Sequence, residues 1–155
     1  MAANIKSWVG GATARAQVDT VTPGTVEIGD IFTMTLTDEK GQGHNVAFTA
    51  TAATVANVTA GLAAAALASY NLEWAKVTVA DATTAITVTA DTAGTPFYLT
   101  VTDANGGAAD TQTFSLAHTT TSKGPYDYNV VDNWLEGAVP LTDTSVYVRG
   151  SNDIL

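Results

Sequence analysis

Few side chains in this sequence are equipped for chemistry. The two histidines, His44 and His118, stand far apart. His44 follows a glycine loop and starts a strand, whereas His118 opens a threonine-rich stretch. Only the fold could unite them as a metal or general-base pair, and ordinary surface histidines are the simpler reading. None of Ser7, Ser69, Ser115, Ser122, Ser145 and Ser151 sits in the Gly-x-Ser-x-Gly frame of a nucleophile elbow. Asp103-x-Asn105-x-Gly107 with Asp110 offers the oxygen ligands calcium takes. It lacks the glutamate that closes a twelve-residue calcium loop, and Asn-Gly-Gly is equally a turn. Asp127, Asp132 and Asp143 flank aromatic residues, but glycosidase carboxylates need a sugar-binding cleft around them. Solvated acids beside turns are the expectation. These residues together predict a non-enzymatic chain with no catalytic residue, no metal site and no cofactor.

The tryptophans carry more information. Trp74 follows the one helix-like segment and is expected to close the core. Trp8, Tyr126, Tyr128 and Trp134 lie in terminal segments too small to bury a core of their own. They are candidate subunit-interface anchors, since large rings supply much of the energy of association. The alternative is packing onto their own domain. Thr33, Thr35, Thr37, Thr87 and Thr89 form strand faces that suit either solvent or a flat, uncharged mating surface.

Composition narrows the classes. The chain has 155 residues, with six Lys and Arg against fifteen Asp and Glu, a net charge of −9, and no cysteine. Six scattered cations cannot build the basic patch that phosphate backbones require, so no nucleic-acid partner is expected. Zinc fingers, disulfide staples and thiol catalysis go with the cysteines. Low charge with 46% apolar residues argues for a folded chain. The N-terminus lacks the apolar stretch of a secretory signal. The most apolar run, from Val55 to Leu67, is too short and too interrupted for a membrane span, so no membrane partner is expected.

The elements that must position these residues follow from periodicity. Thr13 to Val21 alternates with a period of two, Ala14, Ala16 and Val18 on one face and Arg15, Gln17 and Asp19 on the other. Pro23-Gly24 reads as a turn. Ile31 to Thr37 and His44 to Ala50 form a hairpin, with Phe32, Met34, Leu36, Val46 and Phe48 as its apolar residues. Thr54 is placed to cap a helix over about 54–69, buried through Val55, Val58 and Leu62. Gly61, set among alanines, lets that helix lie close on a sheet. Four further strands are expected at Ala75–Ala80, Thr84–Ala90, Pro96–Thr102 and Thr111–Ala117. The fold class is mainly β (α+β): an antiparallel, sandwich-like sheet of about seven short strands with one Ala-rich helix packed on it and extended terminal arms. Residues 1–12 form an N-terminal arm, 13–117 the β-rich domain, and 118–155 a linker and C-terminal extended segment with a strand at Ser145–Arg149. Asp153-Ile154-Leu155 looks like the start of another strand.

Two stretches carry a resemblance. Val26-Glu27-Ile28-Gly29-Asp30-Ile31-Phe32, Phe48-Thr49-Ala50-Thr51, Gly61-Leu62-Ala63-Ala64 and Ala90-Asp91-Thr92-Ala93-Gly94-Thr95-Pro96-Phe97 resemble a β-rich module of phage virion structural proteins and large bacterial surface adhesins. Asp132-Asn133-Trp134-Leu135-Glu136-Gly137-Ala138-Val139-Pro140, with Asp143 and Val146-Tyr147-Val148, resembles the opening of the β-helix regions of phage fibres and autotransporter-type proteins. The resemblance implies a virion structural protein, a head decoration or tail-fibre subunit. Its partners would be itself, as a symmetric homo-oligomer, and other virion proteins. The alternative it implies is a bacterial cell-surface adhesin or surface-layer module, for which a glycan would be a possible ligand.

Overall fold

The computed structural model describes residues 5–142 and 144–148. Among these described residues nine strands and one α-helix run in the order β1 (Ile5–Trp8), β2 (Val18–Gly24), β3 (Ile31–Thr37), β4 (Gly43–Thr49), α1 (Val55–Leu67), β5 (Val77–Asp81), β6 (Ile86–Ala90), β7 (Tyr98–Ala104), β8 (Thr113–Thr120) and β9 (Ser145–Val148). A four-stranded antiparallel sheet has the order β5-β6-β2-β8, and a three-stranded one the order β4-β3-β7. β1 and β9 form a separate two-stranded parallel pair. The architecture is mainly β and sandwich-like, with the expected seven strands and one helix between the terminal strands.

The core lies between the two sheets, where β2, β3 and β6 bury alternate residues. Phe32, Met34 and Leu36 of β3 are buried while Thr33, Thr35 and Thr37 are half-exposed. Val21, Ile86, Val88 and Leu99 meet them from the other strands, and Phe32 of one sheet sits edge-to-face on Phe114 of the other, centroids 5.2 Å apart. Helix α1 closes the side where β4 and β5 form the sheet edges, packing on both. Thr54 caps it by accepting from the Asn57 N–H, and Val58, Thr59, Leu62 and Ala66 are its buried face. Gly61 is where the helix comes closest to the sheet: a Cβ there would overlap the Phe48 ring. Trp74 is buried, and its Nε1–H donates to the His44 carbonyl at 2.9 Å. It lies in a single 3-10 turn, Trp74–Lys76, that takes the first residues of the strand expected from Ala75.

Three expectations are corrected. Pro23-Gly24 is not a turn but the end of β2, paired with Phe114 and Thr113 of β8. β6 leaves β2 at Val21, so this end has a neighbour on one side only and tolerates a residue with no N–H. The chain leaves the strand just after it, at Thr25, with a φ of 49°. The inward face of the first long strand is the opposite of the one expected: Gln17, Asp19 and Val21 are buried, whereas Ala14 is exposed and Ala16 and Val18 are half-buried. Specific partners make the polar residues welcome inside. Gln17 Nε2 donates to the Phe97 carbonyl and to Asp19, and Gln17 Oε1 accepts from the Phe97 N–H. His118 does not open a linker; it lies within β8, with Nδ1 2.9 Å from buried Asp19.

Candidate assembly site

The chain enters and leaves the sandwich at one neck. The Arg15 N–H donates to the Lys123 carbonyl and the Lys123 N–H to the Arg15 carbonyl, at 2.8 and 3.2 Å. The Arg15 guanidinium donates twice to the Thr121 carbonyl. The β6–β7 loop braces this crossing. Gly94, with a φ of +85°, donates its N–H to Arg15 O, and a Cβ on Gly124 would lie 3.1 Å from Gly94 Cα. A side chain at Gly124 would push its neighbour back by a few tenths of an ångström.

Beyond the neck, the two ends of the chain form a stem. β1 pairs in parallel with β9, from Ile5 opposite Ser145 to Trp8 opposite Val148. Along its other edge β1 meets residues 133–135: the Val9 N–H donates to Asn133 O, and the Leu135 N–H to Ser7 O, both at 2.9 Å. Glu136 accepts the Ser7 N–H at 2.8 Å, and that hydrogen bond, first among the causes, lowers its carboxyl below the ordinary range.

Asn133 is the polar centre of the stem. It is fully buried, accepts the Ala12 N–H through Oδ1 at 2.8 Å, and donates through Nδ2 to the Gly124 and Asp127 carbonyls. One side chain thus ties the N-terminal segment to two points of the C-terminal one. Next to it Trp134, only 3% exposed, sits edge-to-face on both Trp8 and Tyr128 at 5.1 and 5.0 Å. Its Nε1–H donates to the Tyr128 carbonyl. Three of the four expected anchors, Trp8, Tyr128 and Trp134, are therefore brought together within one chain, with Trp134 enclosed by its own stem. Tyr126 stands apart, 93% exposed. Ile5, Val9, Val131, Leu135, Leu141 and Val146 also expose apolar surface on the stem. β9 has a strand partner on one edge only among the described residues.

The structure does not bring the two histidines together. His44 pairs with Asp38 and Asn71, and His118 with Asp19, on different sheets. The Asn105-Gly106-Gly107 loop is a clasp rather than a calcium loop. Asp30 accepts the N–H groups of Glu27, Gly106 and Gly107, and Glu27 accepts those of Ala108 and Ala109. The loop thus presents backbone donors to carboxylates, the opposite polarity to a cation site. The Glu27 N–H, ahead of those of Gly106 and Gly107, lowers the Asp30 carboxyl. Gly29 and Gly106 meet backbone to backbone there. Among the described residues no three His, Cys, Asp or Glu side chains cluster to hold a metal. Asp127 accepts the Asn129 N–H and Asp132 is exposed; Asp143, Arg149 and the strand expected at Asp153-Ile154-Leu155 lie outside the described residues. No described helix is long and apolar enough to cross a membrane.

Sequence reasoning missed Asn133 and the neck. Asn133 stood within the stretch that resembles a β-helix opening, but burial of its amide depends on carbonyls and an N–H supplied from Ala12, Gly124 and Asp127. The fold and this site define a mainly β protein whose sandwich is inserted between the two halves of a small parallel-stranded stem. No protein-family model, curated protein or solved structure matches the chain.

Proposed function

We propose that the chain is a non-enzymatic phage virion structural protein, a head decoration or tail-fibre subunit, that assembles as a symmetric homo-oligomer through its stem. The observation that carries this reading is the stem itself. It encloses only a handful of residues, yet leaves Tyr126, Leu135 and Leu141 in solvent, and among the described residues β9 has a strand partner on one edge only. Exposed apolar side chains beside an open strand edge are the features that self-association covers. The sandwich, joined through one neck, would project from the assembly. Its acidic, lightly charged surface, part of the net −9, would limit sticking to other anionic particles. The resemblance of the sandwich and stem stretches to modules of phage virion proteins and large surface adhesins fits this reading and the next alike.

A bacterial cell-surface adhesin or surface-layer module is the second reading, favoured by the parallel pairing. Because β1 and β9 point the same way, the chain enters the stem at one end of the pair and leaves at the other, an arrangement that suits modules strung in tandem. Both readings are separated by finding the assembly that contains the chain. Immunogold labelling on purified virions supports the first, and labelling confined to intact bacterial cells supports the second. Light scattering of the purified protein tests self-association directly: a monomer at every concentration would falsify the homo-oligomer.

A further inference from the structure

A further concavity lies away from the stem. A cleft of about 730 Å³ opens where the end of β3, the turn around Trp74 and the β6–β7 loop converge. Its size falls in the roughly 300–1,000 Å³ range of small-molecule sites. Its walls differ in chemistry. Leu36, Ala90, Pro96 and Phe97 supply apolar surface, and Tyr98, 63% exposed, adds an aromatic ring. Four carboxylates line the same space, Asp38, Glu39, Glu73 and Asp91, against the single ammonium of Lys76.

The fold fixes these acids in place. Asp38 accepts the Lys40 and Gln42 N–H groups and lies 3.1 Å from His44 Nε2 through its other oxygen, and Asp91 accepts the Thr78 hydroxyl at 2.6 Å. Lys76 reaches Glu73 at 2.7 Å. The cleft already favours positive charge at that ammonium. Glu73 raises its pKa through a hydrogen bond and through charge, and Glu39 and Asp38 add to it. One bound lysine leaves the negative charge of the walls in excess.

We propose that this cleft is a binding site for an amphipathic organic cation: a primary ammonium group on an apolar or aromatic body. The body lies against Phe97 and Pro96, where it leaves water. The ammonium faces the carboxylates, and the exposed Tyr98 ring offers its negative face to the same charge. Charge complementarity selects this occupant over a neutral one, since an uncharged ligand gains nothing from the surplus of carboxylates. The site is independent of the stem and of any assembly through it.

The test is nuclear magnetic resonance titration of the full chain with phenethylamine, with 2-phenylethanol as a neutral molecule of similar shape, and with maltose. Phenethylamine should shift the amides of residues 73–76 and 90–98, and more salt should weaken it. Glu39→Gln, at an exposed position that leaves folding intact, should weaken the amine by up to about fivefold, the value of a partly exposed ion pair. Lys76→Met should strengthen it by removing the resident cation. The proposal is overturned if 2-phenylethanol binds as tightly as the amine, if maltose alone shifts these amides, or if no probe moves them.

Discussion

The sandwich and the stem of this chain are stabilised in different ways. The sandwich encloses a continuous set of aliphatic and aromatic residues from seven strands and a helix, with Phe32, Met34, Leu62, Ile86 and Leu99 fully buried. Its stability is spread over many contacts, so the loss of one hydrogen bond is absorbed. The stem buries Ala12, Val130 and Trp134 among its apolar residues, and is organised by one amide, Asn133, and three rings. A region with so small a core depends on individual polar contacts and on whatever covers its exposed side chains. The comparison teaches which region can be uncoupled from the other.

The largest effect is expected in the sandwich. Phe32→Ala removes a ring that spans the two sheets and should cost about 3–5 kcal/mol, read as a lower denaturant midpoint for the whole chain. Gly61→Ala should cost about 1–3 kcal/mol by pushing α1 off Phe48. An unchanged midpoint would mean that the helix is not in close contact. In the stem, Asn133→Ala leaves one N–H and two carbonyls without their buried partner and should cost about 1–3 kcal/mol locally. Hydrogen exchange would show it: amides of β1 and residues 133–135 should exchange faster while those of β3 and β6 keep their protection. Equal acceleration in both regions would contradict the uncoupling.

Acidification is the milder probe. The sandwich holds two carboxylates whose pKa is lowered first by a backbone N–H, Asp30 through Glu27 and Asp38 through Gln42, and the stem holds one, Glu136 through Ser7. A lowered folded value means that the stabilisation is fully present above the ordinary carboxylate range and is lost as pH falls through the folded value. The contribution of these carboxylates should therefore be unchanged between about pH 7 and 5 and fall only below about pH 4. Asp30→Asn should flatten that acid limb for the 105–109 loop and leave the stem's response to Glu136 unchanged. A common response of both regions to Asp30→Asn would join them into one cooperative unit.

Much of the sandwich was legible in the sequence because its signals are local. The β3–β4 hairpin follows from alternation and a glycine loop, and α1 from a cap and helical spacing. The errors fall where partners are distant in the chain. Pro23-Gly24 looks like a turn until β8, some ninety residues on, supplies its pairing. Asp19 and Gln17 look like a solvent face until His118 and Phe97 are brought to them. The stem was legible as a set of aromatic residues with nowhere to go, but not as a parallel pair. Nothing in Ile5–Trp8 or Ser145–Val148 alone names the other as its neighbour. The cleft was not visible at all, because its carboxylates come from three separate loops.

The most direct test of the account compares sedimentation of the wild-type protein with that of Tyr126→Ser. Tyr126 is exposed and makes no enclosed contact, so the change should alter folding stability by no more than about 0.5 kcal/mol. Assembly through the stem predicts a concentration-dependent oligomer for the wild type and a shift toward monomer for Tyr126→Ser, with the same melting temperature. A wild-type protein that sediments as a monomer throughout, with a folded stem by hydrogen exchange, would contradict the account.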